Sequence, residues 1–358
     1  MMKHIYFSSL LTLLLLFFSL SASAKTAIAE KLGQTQQAWS FSESGSKKIS
    51  KSGSTVLNID PLNISGIVVT DQFMALVTDE GNQLEVFTKQ GSNWQSAQVI
   101  TVTPSLDEID IEAVAWQAPY LYALGSHSAK RKRIKGSLTQ KENLKRLQET
   151  SPEKARQQLF RIELNSDFSA KDIQVMSLQS LLTEDPILNA FTGLPSKENG
   201  IDMEGLAIDE KGRLLVGFRG PVLRGNVTPI LRIETKKKRF EVKKSKLLYV
   251  DADGRGIRGI TEIKDNADDK DGKEFLVLTG AVGDQTLSYQ VYVWSGKNAL
   301  PGSDSKASDF KLLCDLPDSK GKPEGIQFLN RTRSSIEFVI VEDGLINGQP
   351  TAYRCKID

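Results

Sequence analysis

One short phrase returns five times along this chain, and an internal repeat constrains a fold more tightly than any composition. The copies are Asn63-Ile64-Ser65-Gly66-Ile67, Asp110-Ile111-Glu112-Ala113-Val114, Asp202-Met203-Glu204-Gly205-Leu206, Gly256-Ile257-Arg258-Gly259-Ile260 and Lys322-Pro323-Glu324-Gly325-Ile326. Each is followed by an apolar run and a polar turn: Val77-Thr78-Asp79-Glu80-Gly81, Gly125-Ser126-His127-Ser128, Gly217-Phe218-Arg219-Gly220, Thr279-Gly280-Ala281 and Val341-Glu342-Asp343-Gly344. Units of about 40–50 residues with several strands each are the pattern of a propeller, whose blades bury their faces only by stacking. The expected class is all-β: a five-bladed β-propeller, with six blades as the alternative, carrying short helical insertions.

Within a unit, β-rich runs are separated by Asp, Asn, Gly and Ser turns. The first unit places strands at 65–69, 73–78, 83–88 and 96–102, the third at 204–208, 213–218, 230–235 and 240–250, and the fourth at 258–263, 274–279, 290–294 and 310–316. The fifth supplies only three, at 324–328, 336–341 and 352–357. An open outer edge invites aggregation, so an N-terminal strand must complete that blade, and residues 54–59 are the expected candidate. Residues 137–159 carry helical spacing, with Ser151-Pro152-Glu153 as the expected helix start, and 179–191 are a second helical candidate.

Lys3 and His4, the apolar run 10–20 and Ala22-Ser23-Ala24 together form a secretory signal, cut after Ala24. Residues 25–53, rich in Ser, Gln, Lys and Gly, are expected to be a flexible lead-in, leaving 54–358 as one domain in a periplasmic or secreted protein. No later stretch approaches the length of a membrane span. The whole chain has 46 Lys and Arg, which loses Lys3 on cleavage to leave 45, against 44 Asp and Glu. This bulk balance points neither to nucleic acid nor to an anionic membrane, and the expected state is a monomer. Cys314 and Cys355 are the only cysteines; either a bridge joining the last two units or a pair of buried thiols fits them.

The motif opens the first strand of each unit and the polar turn closes the second. Two strands of an antiparallel hairpin bring that start and that end to the same edge. The separations agree at 14 or 15 residues: Ser65 to Asp79, Glu112 to Ser126 and Glu204 to Arg219. One face of the ring should therefore collect Asp79, Glu80, Asp110, Glu112, His127, Asp202, Glu204, Arg219, Arg258, Glu324, Glu342 and Asp343. The Glu of the Glu-Gly pair has two open roles: bonding amides of the next blade as a packing device, or recognising a ligand. Its position holds Ser, Glu, Glu, Arg and Glu in turn, and a packing device should not vary so. Crowded acids raise one another's pKa or require a hard cation such as calcium to coexist.

His127 is the one histidine downstream of residue 24, which excludes a multi-histidine zinc site. It is the sole imidazole available as an acid or base, or else an ordinary turn residue. Ser126 and Ser128 flank it, but neighbours on a strand end point apart and no Gly-x-Ser-x-Gly elbow exists. Arg219 and Arg224 suit phosphate or carboxylate, or pair with nearby Glu side chains. Lys130-Arg131-Lys132-Arg133-Ile134-Lys135 is either a solvated run or a basic lip, and 236–239 are solvated surface. Asp268-Asp269-Lys270-Asp271-Gly272 fails the spacing of a calcium loop, and no phosphate-cradling or dinucleotide motif appears, so no nucleotide cofactor is expected.

The blocks Ile109–Ala115, Gly125–Ser128, Leu194–Ala207 and Phe218–Gly225 resemble an uncharacterised secreted bacterial family defined by a domain of unknown function. More distantly, Asp-x-Glu-Gly-Leu-Ala is similar to phytase-like and esterase-like propellers. That likeness implies calcium-assisted phosphoester hydrolysis on a central acidic face, although Ser65, Arg219 and Arg258 depart from a multi-calcium cluster. Two functions are carried forward. In a hydrolase, Glu112, Glu204 and His127 would be catalytic, and Glu112, Glu204, Glu324, Glu342 and Asp343 would hold the metal. Asp79, Glu80, Asp202, Arg219, Arg224, Arg258 and Lys130 would contact an anionic small molecule. In a non-catalytic module the same face would bind an anionic ligand or a protein.

Overall fold

The computed structural model describes residues 27–32, 41–42, 57–91, 93–105, 107–236, 238–264 and 274–357. Five antiparallel sheets stand around a central axis. In sequence order their strands are Ile64–Val69, Phe73–Thr78, Gln83–Gln90 and Asn93–Thr101 in blade 1, and Ile111–Gln117, Tyr120–Gly125, Leu159–Leu164 and Ala170–Met176 in blade 2. Blade 3 has Asp202–Ile208, Leu214–Gly220, Val227–Thr235 and Val242–Asp251, and blade 4 has Gly256–Glu262, Phe275–Gly280, Gln290–Trp294 and Phe310–Asp315. Blade 5 has Lys322–Arg331, Ser335–Asp343 and Thr351–Lys356. The first strand of every blade is innermost and lies against the first strands of both neighbours, which closes the ring.

Alternation along each strand leaves apolar side chains on both faces, and these pack between blades rather than within one. Five buried apolar clusters result among the described residues, one at each junction of consecutive blades. Phe73, Phe160 and Ile111 fill the first junction, and Phe275, Trp294 and Leu215 the third.

An N-terminal strand does complete blade 5, but it is Glu30–Lys31, paired with Arg354 and Tyr353. Ala29 also donates its amide to the Asp315 carbonyl at 2.8 Å, so this segment fastens blade 4 to blade 5. Phe41–Ser42 adds a parallel fifth strand to blade 1. The span expected to be a lead-in thus supplies edge strands to two blades. Of the expected closing strand, 54–56 lie outside the described residues. Leu57 and Ile59 are buried without joining a sheet, because the amides of Asn58 and Ile59 go to the Glu85 carboxylate instead, at 2.8 and 3.4 Å.

Cys314 and Cys355 are bridged, with Cα atoms 6.2 Å apart, so the fourth and fifth blades are joined covalently. The long excursion lies between the second and third strands of blade 2. Ala129–Arg131 pairs there with Thr150–Pro152, so Ser151-Pro152-Glu153 belongs to a hairpin and starts no helix. The helix is Gln140–Gln148, opened by Thr139, whose hydroxyl accepts from the Glu142 amide while Glu142 reaches back to the Thr139 amide. The second helical candidate is real: Gln179–Glu184, then a 3₁₀ turn at Leu188–Phe191. No helix among the described residues is long and apolar enough to cross a membrane.

Candidate functional site

All five motif copies share one local irregularity. Ile64 faces Thr78 and Gly66 faces Val77, leaving Ser65 with no opposite number; Glu112, Glu204, Arg258 and Glu324 are skipped in the same way. Each motif copy is a β-bulge, which re-aims the extra side chain. Here the five extra side chains turn towards the axis, and all are buried. The small residue that follows lies against the next blade: a Cβ on Gly325 would meet Val341 Cγ2 at 2.4 Å and the Gly66 backbone at 3.0 Å. The fifth motif position supplies Ile67, Val114, Leu206, Ile260 and Ile326, an apolar ring just below the polar one. Between them the channel narrows to a cavity of about 10 Å³, roughly one water.

Arg258 bridges the glutamates of both neighbouring blades, with Nη1 2.9 Å from Glu204 Oε2 and 2.9 Å from Glu324 Oε1. Arg219, at the end of the second strand of blade 3, pairs with Asp202 and lies 2.6 Å from Glu204 Oε1. Ser65 donates to the Ile111 carbonyl of the next blade. Only Ser65 therefore follows the packing role considered for this position, while the glutamates turn to charged partners. Glu112 is the exception: no hydrogen bond or ion pair engages its carboxylate among the described residues. Oxygens of Glu112, Asp202 and Glu204 lie within 4.8 Å of one another, and Asp202 Oδ1 is buried with no hydrogen-bond partner.

Burial dominates the electrostatics of this ring. It raises Glu112 well above the usual carboxyl range, with the charges of Glu204 and Asp110 adding to the shift. It raises Glu324 to about 8 against the opposing pull of Arg258, and Asp202 to about 6 against Arg219. At the rim Asp79 rises to about 7 through burial and the nearby Asp343. In formal charge, Glu112, Asp202, Glu204 and Glu324 exceed Arg219 and Arg258 by two.

The remaining expected residues fall around this centre. Glu342 accepts from Ser319 and Asp343 pairs with Lys322, so neither joins the three-carboxylate group. Glu324 is in the ring but is taken by Arg258. Glu80 and Arg224 are exposed, and Lys130 pairs with Glu108 at 2.9 Å. His127 is buried; its Nδ1 lies 2.8 Å from the Gly125 carbonyl, and its Nε2 accepts the Leu178 amide at 3.1 Å. Burial lowers its pKa to about 4. A neutral imidazole with both nitrogens on backbone is a strut between the blade 2 turn and the second helical segment, and the acid-base role expected of it is withdrawn. Arg156, which no motif announced, binds Asp110, Glu108 and Glu153 in the same wall.

Fold and site together define a five-bladed propeller whose motif face gathers buried carboxylates and arginines at one mouth of a narrow channel. The chain belongs to the family described as protein of unknown function (DUF3616), whose sequence profile matches residues 63–352. No curated protein matches it. Among solved structures it is similar to the Bacillus subtilis arabinanase Arb43A, at 13% identity and a TM-score of 0.42 over 82% of this chain and 93% of that one. It is also similar to the Myxococcus xanthus glutaminyl cyclase, at 9% identity and a TM-score of 0.41 over 83% and 93% of the two chains. A GH43 β-1,3-galactosidase, BT3683, matches at 9% identity and a TM-score of 0.39 over 88% and 94%. At these identities the likeness concerns the fold alone.

Proposed function

We propose that the motif face is a hard-cation site, with Glu112, Asp202 and Glu204 as ligands, above which an anionic small molecule binds. The carrying observation is the 4.8 Å grouping of three buried carboxylate oxygens. Ligands at 2.3–2.6 Å from a calcium ion are at most about 5 Å apart, so one ion could touch all three. The unpartnered Glu112 carboxylate and Asp202 Oδ1 offer free lone pairs, and the surplus of two negative charges suits one divalent cation. An all-oxygen donor set favours calcium over zinc. The ion must compete with Arg219 and Arg258 for Glu204 and with protons for Glu112.

The 10 Å³ of the channel admits an ion or a water and nothing larger, so an organic ligand sits at the mouth, towards Arg219 and the exposed Arg224. The reaction that suits this arrangement is phosphoester hydrolysis, in which a bound cation would supply an activated water and neutralise developing charge. Of the chain's own groups, Glu112 would help to hold that cation and Arg219 would orient the anion. The second reading is a binding module without turnover, favoured by one observation: Glu204 already has arginine against both its oxygens. Export from the cytosol accords with the disulfide, and the leader assigned to residues 1–24 lies outside the described residues.

Hydrolysis of p-nitrophenyl phosphate and its diester, with and without chelator, separates the two readings. A hydrolase turns over a substrate, loses this on chelation and loses it in Glu112→Gln. Cation binding without turnover leaves the module; neither binding nor turnover ends the proposal.

A further inference from the structure

The near-neutral bulk charge hides a strong local imbalance. Residues 129–149 carry eight Lys and Arg against Glu142 and Glu149, a net +6 in a chain of +2, so all other residues sum to −4. This segment is the hairpin and helix that leave blade 2 at the mouth. It is fixed there by Arg131 Nε on Glu198 at 2.5 Å and by Ala129 bridging to Pro195. Glu108, Glu153 and Glu198 occupy Lys130 and Arg131. Among the described residues, Lys132, Arg133, Lys135 and Lys141 are exposed with no acidic partner, and Lys145 has only the i+4 contact to Glu149 at 3.8 Å.

The helix Gln140–Gln148 has no buried residue. Leu144 and Leu147 are 55% and 51% exposed, and Ile134 on the preceding strand-to-helix turn is 55% exposed. At 100° per residue Leu144 and Leu147 lie 60° apart on a side shared with Gln140, Lys145 and Arg146 lie on the opposite side, and Lys141 and Gln148 lie together on one flank. The segment holds this shape without the rest of the protein covering it: Asn143 bonds both backbone groups of Lys135, and Arg146 Nε donates to the Arg133 carbonyl at 2.7 Å. A solvated charged helix needs no large aliphatic side chains on its free side. A helix that lies in a lipid headgroup layer needs both the basic residues and the leucines.

We propose that residues 129–149 form an interfacial arm that docks the propeller, mouth side inward, on an anionic phospholipid surface. The basic residues are attracted to the headgroups, and Ile134, Leu144 and Leu147 enter the headgroup–acyl boundary. A soluble polyanion would use the basic residues alone, and this difference is what the test reads.

The test is co-sedimentation of the purified protein beginning at Lys25 with vesicles of pure phosphatidylcholine or with about a third phosphatidylglycerol. Binding to the anionic vesicles only, weakened by salt, is expected. Lys132→Ala/Arg133→Ala/Lys135→Ala should bind about a hundredfold more weakly, at about fivefold per basic residue. Leu144→Ser/Leu147→Ser should also lose binding although it keeps every charge. All five side chains of the two sets are exposed and outside the packed blades, so thermal melting should match the parent. No sedimentation with anionic vesicles overturns the proposal. So does full binding by the leucine variant, which would make the arm a site for soluble polyanions.

Discussion

Replacing Glu324 by glutamine tests whether burial governs the charge state of the ring. Glu324 is raised from 4.5 to about 8, chiefly by burial. The folded protein then holds this proton more tightly than the unfolded chain does. Stability from the group is fully present below pH 4.5 and is lost as pH rises through 8. One pKa unit is about 1.4 kcal/mol, so the whole interval sets an upper bound of about 5 kcal/mol. Part of the shift comes from the charges of Glu204, Asp343 and Asp79, and the unfolded carboxyl is already mostly ionised at pH 5.5, so the expected loss between pH 5.5 and 8.5 is about 2–3 kcal/mol. Glutamine keeps the shape and an acceptor for Arg258 but carries no titrating proton. Urea unfolding followed by tryptophan fluorescence, with chelator present, should show the stability of Glu324→Gln relative to the parent rise by that amount between pH 5.5 and pH 8.5. Parallel curves for the two proteins across that range would refute the reasoning, because the carboxyl would then titrate alike in folded and unfolded chains.

Cys314→Ala/Cys355→Ala opens a loop of 41 residues and should cost about 4 kcal/mol by chain entropy, read as a lowered melting temperature that reductant reproduces in the parent. Gly325→Ala forces a Cβ against the Gly66 backbone at 3.0 Å and should destabilise by about 1–3 kcal/mol, with urea midpoints as the measure. Removing residues 25–33 uncovers the Thr351–Lys356 edge, and light scattering should show aggregation that the intact protein does not.

The repeat made the ring legible because each motif marks an innermost strand, and the constant spacing from motif to turn placed the polar residues on one face. The bulges themselves left almost no trace. A two-against-one pairing depends on the partner strand, and the following Gly or Ala is its only sign in one strand alone. Charge variation at the bulge position rightly argued against a uniform packing role, yet pairing could not be read from it. Glu324, Glu342 and Asp343 share a blade, but Arg258, Ser319 and Lys322 draw each elsewhere. Arg156 was hidden because its neighbours carry no pattern, and only the fold brings it to Asp110.

Short pairing segments were the other blind spot. Glu30–Lys31 is two residues long and shows no alternation, since its role as an edge strand comes from the blade that lacks one. Ser151-Pro152 satisfies the rules for a helix start, but the hairpin with Ala129–Arg131 takes those residues first. Thr139 with Glu142 obeys the same rules and does open a helix. His127 shows how rarity misleads: the lone imidazole looked chemically available, while burial and two backbone bonds make it structural.

Calorimetric titration of calcium into metal-free protein at pH 8, for the parent and Glu112→Gln, tests the convergence of Glu112, Asp202 and Glu204 most directly. The expected result is one site per chain in the parent, proton release on binding, and affinity at least tenfold weaker in the variant with melting unchanged in chelator. Heat-silent titrations with calcium, magnesium and manganese, or equal affinity in the two proteins, would contradict it.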